Sequence, residues 1–366
     1  MPVATAPFGI AEPAFAPVRD VFEQVLVEQD RARATGAAVA VWHEGRWVVD
    51  LWGGYSDTAR TASWTRDTLV MPYSVTKPFA AVCALVLADR GGIDLDAPLT
   101  TYWPELTART TMRQVLCHQS GLALLEDPAP EEAFYDWDLM CSLVAAQPPL
   151  WEPGTACGES ALLYGHQIGE VIRRVDGRTL GTFLREEVCG PQGIEFAVGL
   201  RDEELSRVAD LTGFDASFRR RGEEGSPVMR RALANPPGAL DPDVVNGVRW
   251  RTAEIAAVNG HGTARGVAGL LVAVEQGRLL SPGMKRAMTS VAASGTDRVL
   301  DRQAAWGLGV GIDDDGYGMG GVGGSVAWCS TEGAYVLGFV TGWIADHDRM
   351  TRIDNAVRGC LGLPPL

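Results

Sequence analysis

The chain has 366 residues, 46% of them hydrophobic and 21% charged, enough to bury a large core and too balanced for a disordered or fibrous protein. Its 46 acidic against 32 basic residues give a formal charge of -14, a field that repels phosphate backbones and anionic headgroups, so neither nucleic acid nor a membrane is expected as a partner. No stretch approaches the ~18 uninterrupted apolar residues of a membrane span. Met1–Pro7 lacks the basic start and apolar run of an export signal. The seven cysteines are scattered through apolar surroundings and read as reduced thiols, so a cytoplasmic location is expected.

Taken in chain order, Val18, Phe22, Val25 and Leu26 fall at helical spacing and predict an amphipathic helix over 18–33, stopped by Gly36. Ala37–Trp42 and Trp47–Trp52 are β-rich runs separated by His43-Glu44-Gly45-Arg46, the pattern of a hairpin. A long middle, about residues 75–300, shows helical periodicity and Pro/Gly-bounded loops. Within it, 216–232 is charged and interrupted by Gly and Pro, and reads as a solvated surface loop. Ala305–Ile312, Tyr317–Met319, Gly324–Trp328 and Ala334–Thr341 are further strand candidates, and 348–361 reads as a closing helix.

An isolated hairpin is marginal in water, so the N-terminal strands are expected to join the C-terminal ones in one antiparallel sheet flanked by the terminal helices. This gives an α/β (α+β) fold in two parts. Residues 1–74 with 301–366 form a discontinuous sheet domain, 75–300 form a mostly helical domain, and the active site is expected in the cleft between them.

The chemistry concentrates at Ser74-Val75-Thr76-Lys77, which opens the apolar run Pro78–Ala88 that ends at Gly91-Gly92. A proline is tolerated only in the first helical turn, so the helix is expected to begin near Ser74. That start places the Ser74 hydroxyl beside free backbone N–H groups and the positive end of the helix dipole, where an oxyanion could be held. Lys77, one turn later and half buried, is expected to lose solvation of its charge and serve as the base.

These residues, together with Trp52-Gly53-Gly54, Tyr102-Trp103-Pro104-Glu105, Leu116–Leu122, Trp151-Glu152-Pro153-Gly154-Thr155 and Gly262–Gly266, resemble the serine β-lactamase-like superfamily. The likeness runs over roughly 15–345 and is greatest to the branch of class C-like β-lactamases, family VIII carboxylesterases and related acyltransferases. It implies a β-lactamase/penicillin-binding-protein-like fold and an acyl-enzyme on Ser74, with backbone N–H groups of Ser74 and Val322 as oxyanion hole.

Two motifs depart from the family pattern. Gly158-Glu159-Ser160 puts Glu159 where related esterases carry a tyrosine, and Met319-Gly320-Gly321-Val322 replaces a His-Ser-Gly-type triplet. Glu159 is therefore a candidate second base, with Tyr164, the nearby phenol, as the other possible catalytic group and otherwise a core residue. Gly320 and Gly321 permit close substrate approach, and Trp343 is a candidate wall of the substrate site. Without a cation in the triplet, a β-lactam carboxylate loses its partner, so penicillin hydrolysis is not expected.

His118 reads as structural. His43, His166, His261 and His347 have no ligand spacing, so neither metal nor cofactor is expected. The expected activity is acyl transfer from a small-molecule ester donor to an amine acceptor, as in the transacylases of capuramycin-type assembly, or to water, as in the carboxylesterases. The competing reading is a non-catalytic binding protein that keeps the fold.

Overall fold

The computed structural model describes residues 5–215, 218 and 226–366. Its strands, in chain order, are β1 (Phe8–Ala11), β2 (Ala37–His43), β3 (Arg46–Gly53), β4 (Phe196–Ala197), β5 (His261–Gly262), β6 (Ala293–Asp297), β7 (Arg302–Trp306), β8 (Gly311–Ile312), β9 (Gly316–Gly320), β10 (Val326–Ser330) and β11 (Tyr335–Thr341). Nine of them form one sheet in the order β1-β3-β2-β11-β10-β9-β8-β7-β6, and β4 pairs with β5 apart from it.

The predicted hairpin is β2–β3, turned through Glu44 and Gly45, both at positive φ, the backbone that a two-residue hairpin demands. It joins the C-terminal strands through β2 and β11, with Val39 opposite Phe339. Alternation then sorts the side chains by face. Val39, Val41, Leu51, Leu337 and Phe339 bury one face against the helices Ala16–Arg31 and Asp348–Cys360. The other face carries Ala38 and Ala40 and meets the helix Ala264–Glu275. There Gly338 lets two backbones touch, because a Cβ on it would lie 2.3 Å from the Ala264 carbonyl oxygen.

The strand expected over 305–312 is two strands, β7 and β8. Between them Gly307–Val310 turns inward, with Gly309 at φ 90° and seated against Ala81. The strand expected to begin at Gly324 begins at Val326, because Gly323 and Gly324 both hold positive φ in the β9–β10 turn. β1 and β6 carry little apolar alternation and were not legible, and β6 extends the sheet's share of the chain to before residue 301. Of the segment 216–232, residues 216–217 and 219–225 lie outside the described residues. Pro227–Ala234 is helix rather than loop, capped by the Ser226 hydroxyl accepting from Val228 and Met229 N–H.

The helix Lys77–Asp89 runs through the core between the sheet and the helical middle, with Pro78 through Leu87 all buried. Each fully buried Val, Leu or Phe of it contributes about 1.5–3 kcal/mol relative to exposure. Phe79 stacks on Phe196 with ring centroids 3.5 Å apart. No described helix is long and apolar enough to cross a membrane, and all seven cysteines are free.

Candidate active site

The turn before the apolar helix is tighter than the sequence suggests. Tyr73–Thr76 form a 3-10 turn, and the α-helix starts only at Lys77. Tyr73, in the left-handed region at φ 49°, makes the sharp entry and is anchored by its hydroxyl, which donates to the Ala239 carbonyl at 3.0 Å. A non-glycine residue at positive φ stores strain of order 1 kcal/mol or more that the surrounding packing must sustain.

Ser74 is 8% exposed and Lys77 fully buried. The Lys77 ammonium donates to Ser74 Oγ at 2.8 Å, to the Ala161 carbonyl at 3.2 Å and to the Ala257 carbonyl at 3.4 Å, and lies 3.0 Å from Glu159 Oε1. Ser74 Oγ–H donates to the same Glu159 oxygen at 3.4 Å. Hydroxyl, ammonium and carboxylate thus form a closed triangle with almost no solvent. Burial pushes the Glu159 carboxyl up, but the charge of Lys77, with the hydrogen bonds from Lys77 and Ser74, outweighs it and holds the pKa below the ordinary value.

Gly321, the residue after β9, lies against this turn. A Cβ there would lie 1.9 Å from the Pro72 carbonyl oxygen and 3.4 Å from the Ser74 nitrogen, so only glycine allows the approach. Among the described residues, neither the Ser74 nor the Val322 N–H donates a backbone hydrogen bond, which leaves both available to an oxyanion. Gly320 is different: a Cβ on it would meet only His347 Nε2, at 3.9 Å. Paired with Val326, Gly320 faces the side of the sheet away from Ser74, where the His347 imidazole also contacts the Gly321 carbonyl at 3.2 Å.

Two expected site residues are placed elsewhere. Tyr164 is fully buried, its hydroxyl donates to the Leu116 carbonyl at 3.1 Å, and no hydrogen bond links it to Ser74, Lys77 or Glu159 among the described residues. It is a core residue, its phenol pushed up well above the ordinary value by burial. Trp343 lines a cavity of about 680 Å³ with Arg33, Thr58, Asp210 and Phe214, whose lining includes none of Ser74, Lys77 and Glu159. Its ring is covered by the Arg349 guanidinium at 4.6 Å.

Sequence reasoning missed the residues that hold the triangle. Asn259, fully buried, accepts from Ile255 N–H and donates to the Trp250 and Ala253 carbonyls, shaping the loop that presents the Ala257 carbonyl to Lys77. The Gly260 N–H donates to Thr76 Oγ1 at 3.1 Å and ties that loop to the serine turn. His118 accepts from Ser160 N–H at 3.3 Å through Nδ1, and burial pulls its pKa down to about 3, so it stays neutral. A lone Asn in a loop carries no spacing signal that would have marked it, whereas the sequence already names His118 as a structural residue. No group of three or more His, Cys, Asp or Glu among the described residues is arranged to hold a metal ion.

The Beta-lactamase family profile matches residues 22–354. The esterase/beta-lactamase LipL of Mycobacterium tuberculosis is 30% identical over 358 residues, covering 89% of this chain and 80% of its own. The crystal structure of a family VIII carboxylesterase superposes with a TM-score of 0.86 at 33% identity, covering 97% of this chain and 99% of that one. A monacolin J acid methylbutanoyltransferase of Aspergillus terreus is 27% identical over 174 residues, 40% of this chain and 42% of its own. The fold around Ser74 and Lys77 and the match over most of the length agree: the chain belongs to the Beta-lactamase family.

Proposed function

We propose that the protein is a serine esterase that works through an acyl-enzyme on Ser74. The observation that carries this reading is the buried triangle of Ser74, Lys77 and Glu159, in which one hydroxyl touches both an ammonium and a carboxylate. Ser74 Oγ attacks the ester carbonyl while its proton passes to Glu159, the acceptor it already faces. Lys77, which the sequence alone suggests as base, acts as the donor that steadies the developing charge on Oγ. The Ser74 and Val322 N–H groups receive the oxyanion. On collapse of the tetrahedral intermediate the C–O bond to the leaving alcohol breaks, and the proton held by Glu159 goes to that alcohol. Water, deprotonated by the same carboxylate, then attacks the acyl carbonyl, the C–Oγ bond to Ser74 breaks, and the proton held by Glu159 returns to Ser74 Oγ.

The likeness to LipL and to a family VIII carboxylesterase supports ester substrates. Met319 and Gly320 offer no charge or hydroxyl for a β-lactam carboxylate. The test is turnover of short p-nitrophenyl esters beside nitrocefin, and a clear preference for nitrocefin overturns the substrate assignment.

A second reading, transfer of the acyl group to an acceptor such as an amine rather than to water, is favoured by the likeness to a methylbutanoyltransferase. Adding an amine to the ester assay separates the two, because transfer yields an amide and hydrolysis only the acid.

A further inference from the structure

Glu159 lies on a loop, and a loop carboxylate acts as a base only if its backbone is held. Three successive amides there are held. Gly158 N–H donates to the His118 carbonyl at 3.0 Å, Glu159 N–H to Asp297 Oδ1 at 3.2 Å, and Ser160 N–H to His118 Nδ1 at 3.3 Å. The carbonyl of Cys157 also accepts, from Arg298 N–H at 2.9 Å.

Asp297 is the unusual member. It is fully buried at the end of β6, and no Lys or Arg pairs with it among the described residues. Its charge is met by four N–H donors. Oδ1 accepts from Glu159, Val299 and Leu300, and Oδ2 accepts from the Trp306 indole at 3.1 Å. Trp306 in turn packs edge-on against His118, with ring centroids 4.5 Å apart, so both holders of the loop are themselves braced by one side chain. A buried carboxylate without a cation is costly, and hydrogen bonds to charged groups are the stronger kind. Two of the four donors belong to Asp297's own turn. The other two reach across to the Glu159 loop and to β7, and a hairpin cap alone requires neither.

We infer that Asp297 is a positioning residue for the acyl-transfer reaction: by holding the Glu159 N–H it sets the carboxylate within reach of Ser74 and Lys77. This rests on the reading of Glu159 as the base.

Asp297→Asn tests it. With three amides at Oδ1, the new amide group must point its NH2 at the indole N–H of Trp306, donor against donor. The expected result is a fall of at least tenfold in the ester acylation rate, with an acid limb of kcat/KM moved from its wild-type position. Asp297→Asn/Trp306→Phe, which removes the opposing donor, recovers most of the rate; it also carries the test should the single variant not fold. In a Glu159→Gln background, Asp297→Asn changes the remaining rate less than twofold, since there is no base left to misplace.

An equal fold-loss in both backgrounds shows a merely structural residue and overturns the positioning role while leaving Glu159 standing. So does wild-type acylation by a folded Asp297→Asn. Wild-type acylation by Glu159→Gln overturns the base assignment itself, and this inference with it.

Discussion

Replacing Ser74 with alanine removes the hydroxyl that touches Lys77 and Glu159 but no side-chain cap, since the turn Tyr73–Thr76 has none. Turnover should vanish while the melting temperature stays within a few degrees; activity above a few percent of wild type assigns the nucleophile elsewhere. Glu159→Gln keeps the shape and removes the base, so kcat should fall by the ~10²–10⁴ typical of a lost general base. The pH profile reports the same group. Glu159 must be ionised to accept the proton, and its pKa lies below the 4.5 of a free glutamate, so the acid limb of kcat/KM should lie below that pH and disappear in Glu159→Gln. Tyr164→Phe makes the contrasting prediction: it removes one of two donors to the Leu116 carbonyl, which keeps the Gly309 N–H at 2.9 Å, so it costs about 0.5–1.5 kcal/mol of stability seen in urea unfolding and leaves kcat nearly unchanged. A crippled but stable Tyr164→Phe would return the phenol to the chemistry. The serine and lysine were legible in the sequence because a four-residue motif opens an apolar run. Asp297 and Asn259 were not, because each acts through backbone groups that only the folded chain brings near.

At the scale of elements, the end of β9 decides how the sheet meets the serine turn. Gly320 and Gly321 look alike in sequence and differ in surroundings. Gly321→Ala forces a Cβ into the Pro72 carbonyl, a backbone collision that cannot be relieved by rotamer change, and should cost both stability and ester turnover. Gly320→Ala places its methyl in open space and should leave kcat within about twofold, as measured on the same p-nitrophenyl ester. Equal effects at the two positions would contradict the packing described here. The strands with clean alternation, β2, β3 and β11, were readable from their period of two. The inward turn at Gly307–Val310 hid the break between β7 and β8, since its apolar residues pack on the helix of Lys77 and extend the apolar pattern through the turn. β1 is a short edge strand with exposed Phe8 and Ile10, whose pairing with β3 no local pattern announces.

Across the whole molecule, a few buried carboxylates have specific partners, and the response of one of them, Glu170, to pH can be worked out. Burial pushes Glu170 up, but hydrogen bonds from Arg173, the Trp137 indole and Arg174 outweigh it and hold its pKa at about 2. A carboxyl depressed in the folded state contributes stability that is present above its unfolded value and lost as pH falls towards the folded one. Urea midpoints should therefore decline between about pH 4.5 and pH 2, and Glu170→Gln should flatten part of that slope. An unchanged slope would place the acid sensitivity in other groups.

The global arrangement, with N-terminal strands completing a C-terminal sheet, followed from the inability of a lone hairpin to stand in water. The identity of the loop that delivers Glu159 to Lys77 followed from no such rule, since the two are joined only by the packing of distant segments. The central claim is a covalent one, and intact-mass spectrometry addresses it directly. Wild-type protein exposed briefly to a p-nitrophenyl ester or a fluorophosphonate should gain the mass of one acyl or phosphonyl group, located to Ser74 by peptide mapping, and Ser74→Ala should gain none. A wild-type protein that acquires no adduct, or one that acquires it equally in Ser74→Ala, would contradict the account.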